Sequence, residues 1–314
     1  MKRSLLDRFR GLFLGIAVGE VYLGQTQGPE PDRQTINDLA HSRHQGEHQR
    51  DSLGELRGQE ICSRMAQALI ESQFTLPLEE ALPKLGLPRQ GPSLLAAVLP
   101  MALFFHDDLA RLDQQIHQLL HPAADLELEA SGLVIGRTIA MICQEQVTPK
   151  TWITYLLEQV DIPHSSIIAG LEQVQVFLQS KATLMEVLHN LSASSANRLM
   201  PLSSDLSLAF YCWLSTADAF NLSMKRSGQP PQSQLRTRLT TALSGVYNGV
   251  SGIPLAWQAE LISGTGSSSH GWQGADALLA AWSGCSHLES AKQISPRLLR
   301  SAIAAPGLLR PRPK

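Results

Sequence analysis

The segment RFRGLFLGIAVGEVYLG, residues 8–24, predicts a helix over residues 4–23 whose small residues share one face. Gly11, Gly15 and Gly19 recur at every fourth position, so they follow one another along that face. Because glycine has no Cβ, the face is flat, and a second backbone can approach it closely. We therefore expect another element of the chain to pack directly on this helix.

Most of the remaining chain has apolar residues recurring three and four positions apart, the spacing of a helix with one buried face. No alternating pattern typical of a strand extends beyond four or five residues, and no repeat of fixed period is present. These patterns predict an all-α fold, a compact multi-helix single domain. Further helices are predicted over residues 54–72, 93–105, 107–120, 125–146, 149–159, 164–180, 183–191, 204–225, 231–248, 275–283 and 295–304.

Three parts of the chain differ in composition. Residues 1–262 carry the main helical pattern, interrupted at 25–52 by a polar stretch that we interpret as a long exposed loop. Residues 263–305 begin with a Gly/Ser-rich loop over 263–274, followed by terminal helices expected to pack on the domain. Residues 306–314 form a short basic tail, expected to be a solvated end.

Charge and cysteine content narrow the functional classes. The formal net charge is −2 without a long run of one sign, so we expect no nucleic-acid partner. Cys62, Cys143, Cys212 and Cys285 stand alone in apolar stretches, and the absence of a CxxC pair argues against a zinc finger or a thioredoxin-type site. Free thiols of this kind favour a reducing compartment, which predicts a cytoplasmic protein.

The chain starts with a basic front and an apolar run, as a signal peptide does. Asp7 and Arg8 interrupt the front, Glu20 follows the run directly, and no small-residue cleavage motif is present. We therefore interpret this start as the first helix. No stretch reaches the ~18 apolar residues that a membrane-spanning helix needs, so no membrane interaction is expected.

Two clusters have side chains that could bind a metal ion or transfer a proton. The first is the set His41, His44, Glu47, His48 and Asp51, whose polar surroundings favour a solvated loop. The second is His106-Asp107-Asp108, where paired carboxylates could hold a cation or act as acid and base. Because an apolar helical pattern begins directly after it, capping of that helix is the better interpretation.

Two further motifs are assigned structural roles. Ser203-Ser204-Asp205 precedes an apolar helical run and is expected to cap it. The segment GTGSSSHG, residues 264–271, has neither the lysine nor the preceding strand of a phosphate-binding loop. The chain also contains no GxSxG motif, so neither a nucleotide loop nor a serine-hydrolase site is predicted.

Three stretches in the same order together resemble the ADP-ribosylglycohydrolase family. Residues 8–24 are similar to its opening helix, GxxxGxAxGDAxG, with Glu20 in place of the aspartate. Residues 119–142, LLHPAADLELEASGLVIGRTIAMI, are similar to its THPxP helix entry and place His121 on the family's histidine. Residues 239–261, LTTALSGVYNGVSGIPLAWQAEL, are similar to its aGalaGAyyGleaIPexW ending and are the most specific of the three.

The resemblance implies a compact all-α fold and removal of ADP-ribose from modified side chains or related compounds with the help of two Mg²⁺ ions. In the family, the magnesium ligands come from a TDDT and a DTDT motif. Here Leu56-Arg57-Gly58-Gln59 and Gln232-Ser233-Gln234-Leu235 occupy the corresponding positions. Because Mg²⁺ prefers several hard anionic oxygens, we expect no metal site, no cofactor and no catalytic residues of the family's kind.

The sequence thus predicts an ADP-ribosylglycohydrolase-like protein that is catalytically weakened or inactive. We expect its cleft, lined by Glu20 and His121, to bind an ADP-ribose-like small molecule or a protein partner. One alternative is an active hydrolase with relocated metal ligands drawn from Asp51, Glu55, His41 or Asp108. A second alternative is a helical interaction module that binds no small ligand.

Overall fold

The computed structural model describes residues 3–26, 58–72, 85–88, 90–121, 125–159, 166–194, 201–263 and 269–285. Within these ranges the secondary structure is entirely helical, which confirms the predicted all-α class. The predicted helix at 295–304, the tail at 306–314 and the polar loop beyond Thr26 lie outside the described residues.

Thirteen α-helices occur in the described part of the chain, and two 3₁₀ turns accompany them at Pro92–Leu94 and Val250–Gly252. In chain order the helices are α1 (Leu5–Thr26), α2 (Gly58–Ser72), α3 (Leu95–Phe104), α4 (Leu109–Leu120), α5 (Leu126–Cys143), α6 (Trp152–Gln159), α7 (Ser166–Ser180), α8 (Leu184–Ser194), α9 (Pro201–Leu214), α10 (Phe220–Ser227), α11 (Gln234–Asn248), α12 (Leu255–Ser263) and α13 (Ser269–Trp282).

Helices α1 and α11 pack backbone against backbone. A Cβ atom on Gly11 would overlap the carbonyl oxygen of Gly245, and one on Gly15 would overlap the carbonyl oxygen of Thr241. Gly245 in turn lies against the Gly11 carbonyl. The flat face predicted from the glycine spacing is therefore confirmed, and its partner is α11.

The centre of the core is α3, in which every residue from Leu95 to Phe104 is buried. This helix packs on α2 and on α5, while α1 contacts α11 and α13. Burial on all sides explains why the α3 sequence lacks a polar face. The largest buried side chains around it include Trp152, Trp213 and Phe9.

The prediction of one helix over residues 204–225 is wrong, because a turn at 215–219 separates α9 from α10. Within this turn the Thr216 hydroxyl donates to the Cys212 carbonyl at 2.9 Å and is 2.9 Å from the Ser223 hydroxyl. Side-chain hydroxyls that bond to nearby carbonyls in this way compete with helix continuation.

The expectation that Ser203-Ser204-Asp205 caps a helix is also wrong. Helix α9 begins earlier, at Pro201, and proline suits a first helical turn because its missing N–H would have no partner there. Asp205 lies inside α9 and accepts a hydrogen bond from the Ser233 hydroxyl. By contrast, Asp108 is the N-cap of α4 and accepts from the Arg111 N–H at 3.1 Å, as predicted.

Most other helix boundaries differ from the prediction by one to three residues, and the start of α13 differs by six. Helix α13 begins at Ser269, so residues 269–274 of the predicted Gly/Ser loop are helical. Packing of α13 on α1 and the bidentate pair between Arg10 and Asp276 stabilise it despite its two glycines. Helix α12 was not predicted, and α1 continues three residues further than expected, to Thr26.

The four cysteines, all within the described ranges, are free thiols. Burial raises the pKa of the Cys62 thiol, that of Cys143 to about 12 and that of Cys212 to about 11. None of these three thiols is therefore a reactive nucleophile near neutral pH. In the described part of the chain, no helix is both long enough and apolar enough to cross a bilayer.

We expect Gly15→Ala to lower the free energy of unfolding by about 2 kcal/mol, because the added methyl group overfills the contact between α1 and α11. Urea unfolding followed by circular dichroism measures this change. The matched control is Gly24→Ala in the same helix, where nothing lies near the added Cβ. The control should gain about 0.5–1 kcal/mol from helix propensity. Equal effects of both substitutions would contradict the close packing of the two backbones.

Candidate functional site

Glu20 lies in the last part of α1 and binds the start of α2. Its Oε1 accepts the main-chain N–H of Gln59 at 2.8 Å. The first N–H groups of a helix have no partner within the helix, so a carboxylate from another element can cap them. With only 14% of its side chain exposed, Glu20 is a nearly buried anion.

Arg238, on α11, supplies the positive charge opposite Glu20. Its Nε lies 3.6 Å from Glu20 Oε1, and only 11% of the side chain is exposed. This distance is an ionic contact but too long for a hydrogen bond. Within the described residues, the Arg238 Nε has no hydrogen-bond acceptor. Arg238 therefore has one buried donor that is electrostatically paired but not satisfied.

Gly58 makes room for this arginine at the start of α2. A Cβ on Gly58 would overlap the Nε and Cζ atoms of Arg238, so the guanidinium lies directly on the α2 backbone. Cys62, one turn further along α2, is close enough for both Glu20 and Arg238 to influence the pKa of its thiol. We call the set Glu20, Gly58, Gln59, Cys62 and Arg238 the Glu20–Arg238 junction.

A second buried arginine, Arg236, lies two residues closer to the start of α11 and has a structural role. Its Nε donates to the Ser227 carbonyl at 2.7 Å, and its Nη2 donates to the carbonyls of Gln229 and Pro231. Burial lowers the pKa of Arg236, although the nearby charge of Asp205 opposes this effect. The guanidinium thus ties the end of α10 to α11.

Ser233 begins α11 and connects it to α9. Its hydroxyl accepts the Arg236 N–H at 3.2 Å as an N-cap and donates to Asp205 Oδ2 at 2.6 Å. Burial raises the pKa of the Asp205 carboxyl, against the opposing hydrogen bond from Ser233 and the charge of Arg236. Gln232 and Gln234, which flank Ser233, are exposed.

The residues at these positions do not fit a pair of magnesium ions. In the described part of the chain, the Glu20–Arg238 junction has a single carboxylate, and a guanidinium already faces it. Gln232 and Gln234 expose neutral amides, while Arg236 and Arg238 are buried, on different faces of α11. Magnesium needs several anionic oxygens, and a fixed cation beside the only one present opposes its binding. Leu56 and Arg57 lie outside the described residues.

His121, the other residue predicted to line the cleft, lies at the C-terminal end of α4. It is exposed, and its main-chain N–H donates to the His117 carbonyl. Helix α4 packs mainly on α5, whereas Glu20 contacts α2 and α11. The prediction that Glu20 and His121 line one ligand-binding cleft stays a prediction.

The residues considered as relocated metal ligands either have a structural role or lie outside the described residues. Asp108 is used as the N-cap of α4. Asp107 accepts a hydrogen bond from the Trp282 indole N–H at 3.1 Å, and the buried His106 ring places Nδ1 2.7 Å from the Leu103 carbonyl. The other candidates, and the loop cluster quoted above, lie outside the described residues: His41, His44, Glu47, His48, Asp51 and Glu55.

A polar cavity of about 350 Å³ lies at the opposite end of α1. Arg8 and Glu145 form an ion pair of 3.7 Å in its wall, and Arg3 donates to the Tyr247 carbonyl at 2.8 Å. Asp218 is the second carboxylate of the wall, so two arginines and two carboxylates offset each other. Arg8 and Glu20 are about 18 Å apart along α1, so this neutral pocket is separate from the Glu20–Arg238 junction.

Sequence reasoning missed both buried arginines, because charged residues are rarely buried and their helix spacing alone does not reveal a partner. It also missed His117, although His117 and His121 are four residues apart and therefore share a helix face. That spacing was the available signal for a second histidine beside His121.

No protein-family model matches this chain, and no curated protein is detectably similar to it. The likeness to ADP-ribosylglycohydrolases therefore depends on the three quoted stretches. Several of their residues pack helices together: Gly11 meets Gly245, Ile253 is buried, and the Trp257 ring lies edge-on to Tyr22 at 6.3 Å. In this chain, these residues therefore serve the packing of α1, α11 and α12.

We expect Arg238→Met to lower the free energy of unfolding by about 2–3 kcal/mol, because it removes the arginine charge that faces the nearly buried Glu20 carboxylate. The double variant Glu20→Gln/Arg238→Met should lose less than the sum of the two single variants, since it removes both charges. Chemical denaturation of the four proteins measures this coupling. The corresponding cycle at the solvent-exposed Glu60–Arg64 pair of α2 is the control and should give a smaller coupling. Additive effects at Glu20 and Arg238 would show that the two charges do not interact.

Asp205→Asn should become more stabilising relative to the native chain as the pH rises. Burial raises the pKa of the Asp205 carboxyl in the folded state. Its contribution to stability is therefore complete at pH values below the pKa of the unfolded state, about 3.9, and is lost as the pH rises through the pKa of the folded state. Asparagine keeps an oxygen acceptor for the Ser233 hydroxyl but does not titrate. Unfolding free energies of both proteins between pH about 4 and about 7 test the sign. A difference that shrinks with rising pH would contradict it.

Proposed function

We propose that this chain is an ADP-ribosylglycohydrolase-like protein that binds an ADP-ribose-type ligand without hydrolysing it. The observation that carries this proposal is the nearly buried Arg238 guanidinium, which lies against Glu20 and the start of α2. According to the resemblance, divalent cations would be needed in this part of the fold. A permanently charged side chain supplies one positive charge there instead.

The positive charge of Arg238 opposes the binding of a pair of magnesium ions at the same place. Arginine cannot lose its proton in a protein, so its charge remains at every accessible pH. A unit charge and a double charge about 4 Å apart repel by about 8 kcal/mol at an effective dielectric constant of about 20. Glu20, the one carboxylate of the junction among the described residues, offers too little negative charge to offset this repulsion and bind two dications. The proposed protein therefore has no magnesium-dependent hydrolysis.

The same guanidinium suits the anionic part of the proposed ligand. ADP-ribose carries a pyrophosphate, and arginine binds phosphate oxygens through short, charge-assisted hydrogen bonds. The Arg238 Nε has no acceptor among the described residues, and Gly58 leaves the guanidinium next to the α2 backbone. Helix starts also favour anions. Arg238 is thus the residue expected to contribute most to binding.

Fewer observations on the described residues support the two alternatives, an active hydrolase and an interaction module. Of the candidate ligands for an active hydrolase, Asp108 lies within the described residues, and it already caps α4. For an interaction module, the most exposed large apolar residues of the described ranges are Leu126, Met185 and Leu255, and each lies on a different helix. We therefore favour ligand binding at the Glu20–Arg238 junction over both alternatives.

The test is calorimetric titration of the full chain with ADP-ribose, in EDTA and then in excess Mg²⁺. We expect binding of equal affinity in both buffers, no heat from MgCl₂ alone, and no free ADP-ribose released from an ADP-ribosylated protein. Arg238→Gln should weaken binding at least tenfold, since a charge-assisted contact is lost. Arg238→Lys, which keeps the charge, should lose less.

Arg137→Gln is the matched control, because it removes an arginine from another ion pair and should leave the affinity for ADP-ribose unchanged. Circular dichroism of each variant verifies that it is folded before titration. Release of ADP-ribose that depends on Mg²⁺ would overturn the proposal and favour an active enzyme. Absence of any ADP-ribose binding by the native chain would favour the interaction module.

A further inference from the structure

His117, His121 and Glu129 converge at the contact between α4 and α5. Each offers one nitrogen or oxygen atom that could bind a metal, and these three atoms lie within 4.8 Å of one another. His117 Nδ1 is 2.7 Å from Glu129 Oε1, and the two imidazole rings are 4.7 Å apart between their centroids. None of these three side chains belongs to the Glu20–Arg238 junction.

The backbone beneath this cluster is fixed by close packing. His117 and His121 lie one helical turn apart, so both point to the same side of α4. On the core side of α4, Ile116 and Leu120 are fully buried, and a Cβ on Gly132 of α5 would overlap Leu120. The distance between α4 and α5 is therefore set by packing, while the polar side chains above it can adjust.

Two imidazoles and one carboxylate are the donor set of a three-ligand zinc site, in which the fourth position of the tetrahedron is open. Bonds of about 2.0–2.1 Å in a tetrahedron place neighbouring ligand atoms about 3.3 Å apart. The observed distances are compatible with this value, since the shortest is 2.7 Å and none exceeds 4.8 Å. Modest side-chain rotations reach it, and 54% of the His117 side chain is exposed, which leaves room for them.

We propose that His117, His121 and Glu129 form a binding site for a Zn²⁺-like transition-metal dication that links the end of α4 to α5. The metal would replace the proton shared between His117 and Glu129, and water would complete its coordination. Imidazole nitrogens favour zinc and its neighbours over Mg²⁺, which prefers oxygen ligands. The site is independent of the proposed ADP-ribose binding, because it involves other helices and another class of metal.

The test is calorimetric titration of the EDTA-treated full chain with ZnCl₂. Because His41, His44 and His48 could also bind zinc, the triple alanine variant at these positions is titrated as a second background. In both backgrounds we expect His117→Ala and His121→Ala to weaken one zinc equivalent at least tenfold. Glu129→Gln, which keeps the shape of the side chain, should weaken the same equivalent by about 10–100-fold.

His189→Ala is the control, since His189 is exposed on α8 and should have no effect. Titration with Co²⁺ adds a second readout, because its visible absorption reports the coordination geometry and should diminish in the Glu129→Gln variant. MgCl₂ should give no heat that depends on these residues. Retention of the native zinc stoichiometry and affinity in His117→Ala and His121→Ala would overturn the site. An unchanged affinity in Glu129→Gln alone would overturn the three-ligand arrangement.

Discussion

The contact between the backbones of α1 and α11 is the constraint on which the remaining structure depends. Gly11 and Gly15 meet Gly245 and the Thr241 carbonyl with no side chain between them, which fixes both the distance and the register of the two helices. Any larger residue would push the helices apart, because packed interiors have little spare volume. Everything that α1 and α11 carry on their adjoining faces is therefore held in fixed relative positions.

The Glu20–Arg238 junction follows from this register. Gly19 lies against the Thr241 side chain, so the next residue, Glu20, lies close to the turn of α11 that carries Arg238. Helix α2 then begins at this point, because Glu20 caps it and Gly58 leaves space for the guanidinium. One packing contact thus determines which charges meet, and their arrangement favours recognition of an anion over binding of two dications.

The sequence correctly predicted structural features that depend on residues close together in the chain. The glycine face of α1 and the Asp108 cap are two such features, because helical periodicity and N-capping both involve residues only a few positions apart. The burial of Arg238 depends on Glu20, a partner far away in sequence, which no short-range pattern contains. The break at 215–219 was missed for another reason: its hydroxyl–carbonyl contacts are local, but the apolar helical spacing continues across them. His121 was singled out in the sequence without its neighbours, because Glu129 reaches it only when α5 packs on α4.

The two buried arginines of α11 differ in the hydrogen-bond partners of their guanidinium groups, and this difference assigns them different roles. Arg236 donates to three main-chain carbonyls, so its Nε and Nη2 hold the end of α10. Arg238 has an ionic contact with Glu20, but its Nε has no acceptor in the described part of the chain. A buried donor without an acceptor has a free-energy cost that a suitable ligand oxygen would relieve. For this reason Arg238, rather than Arg236, is the arginine assigned to ligand binding.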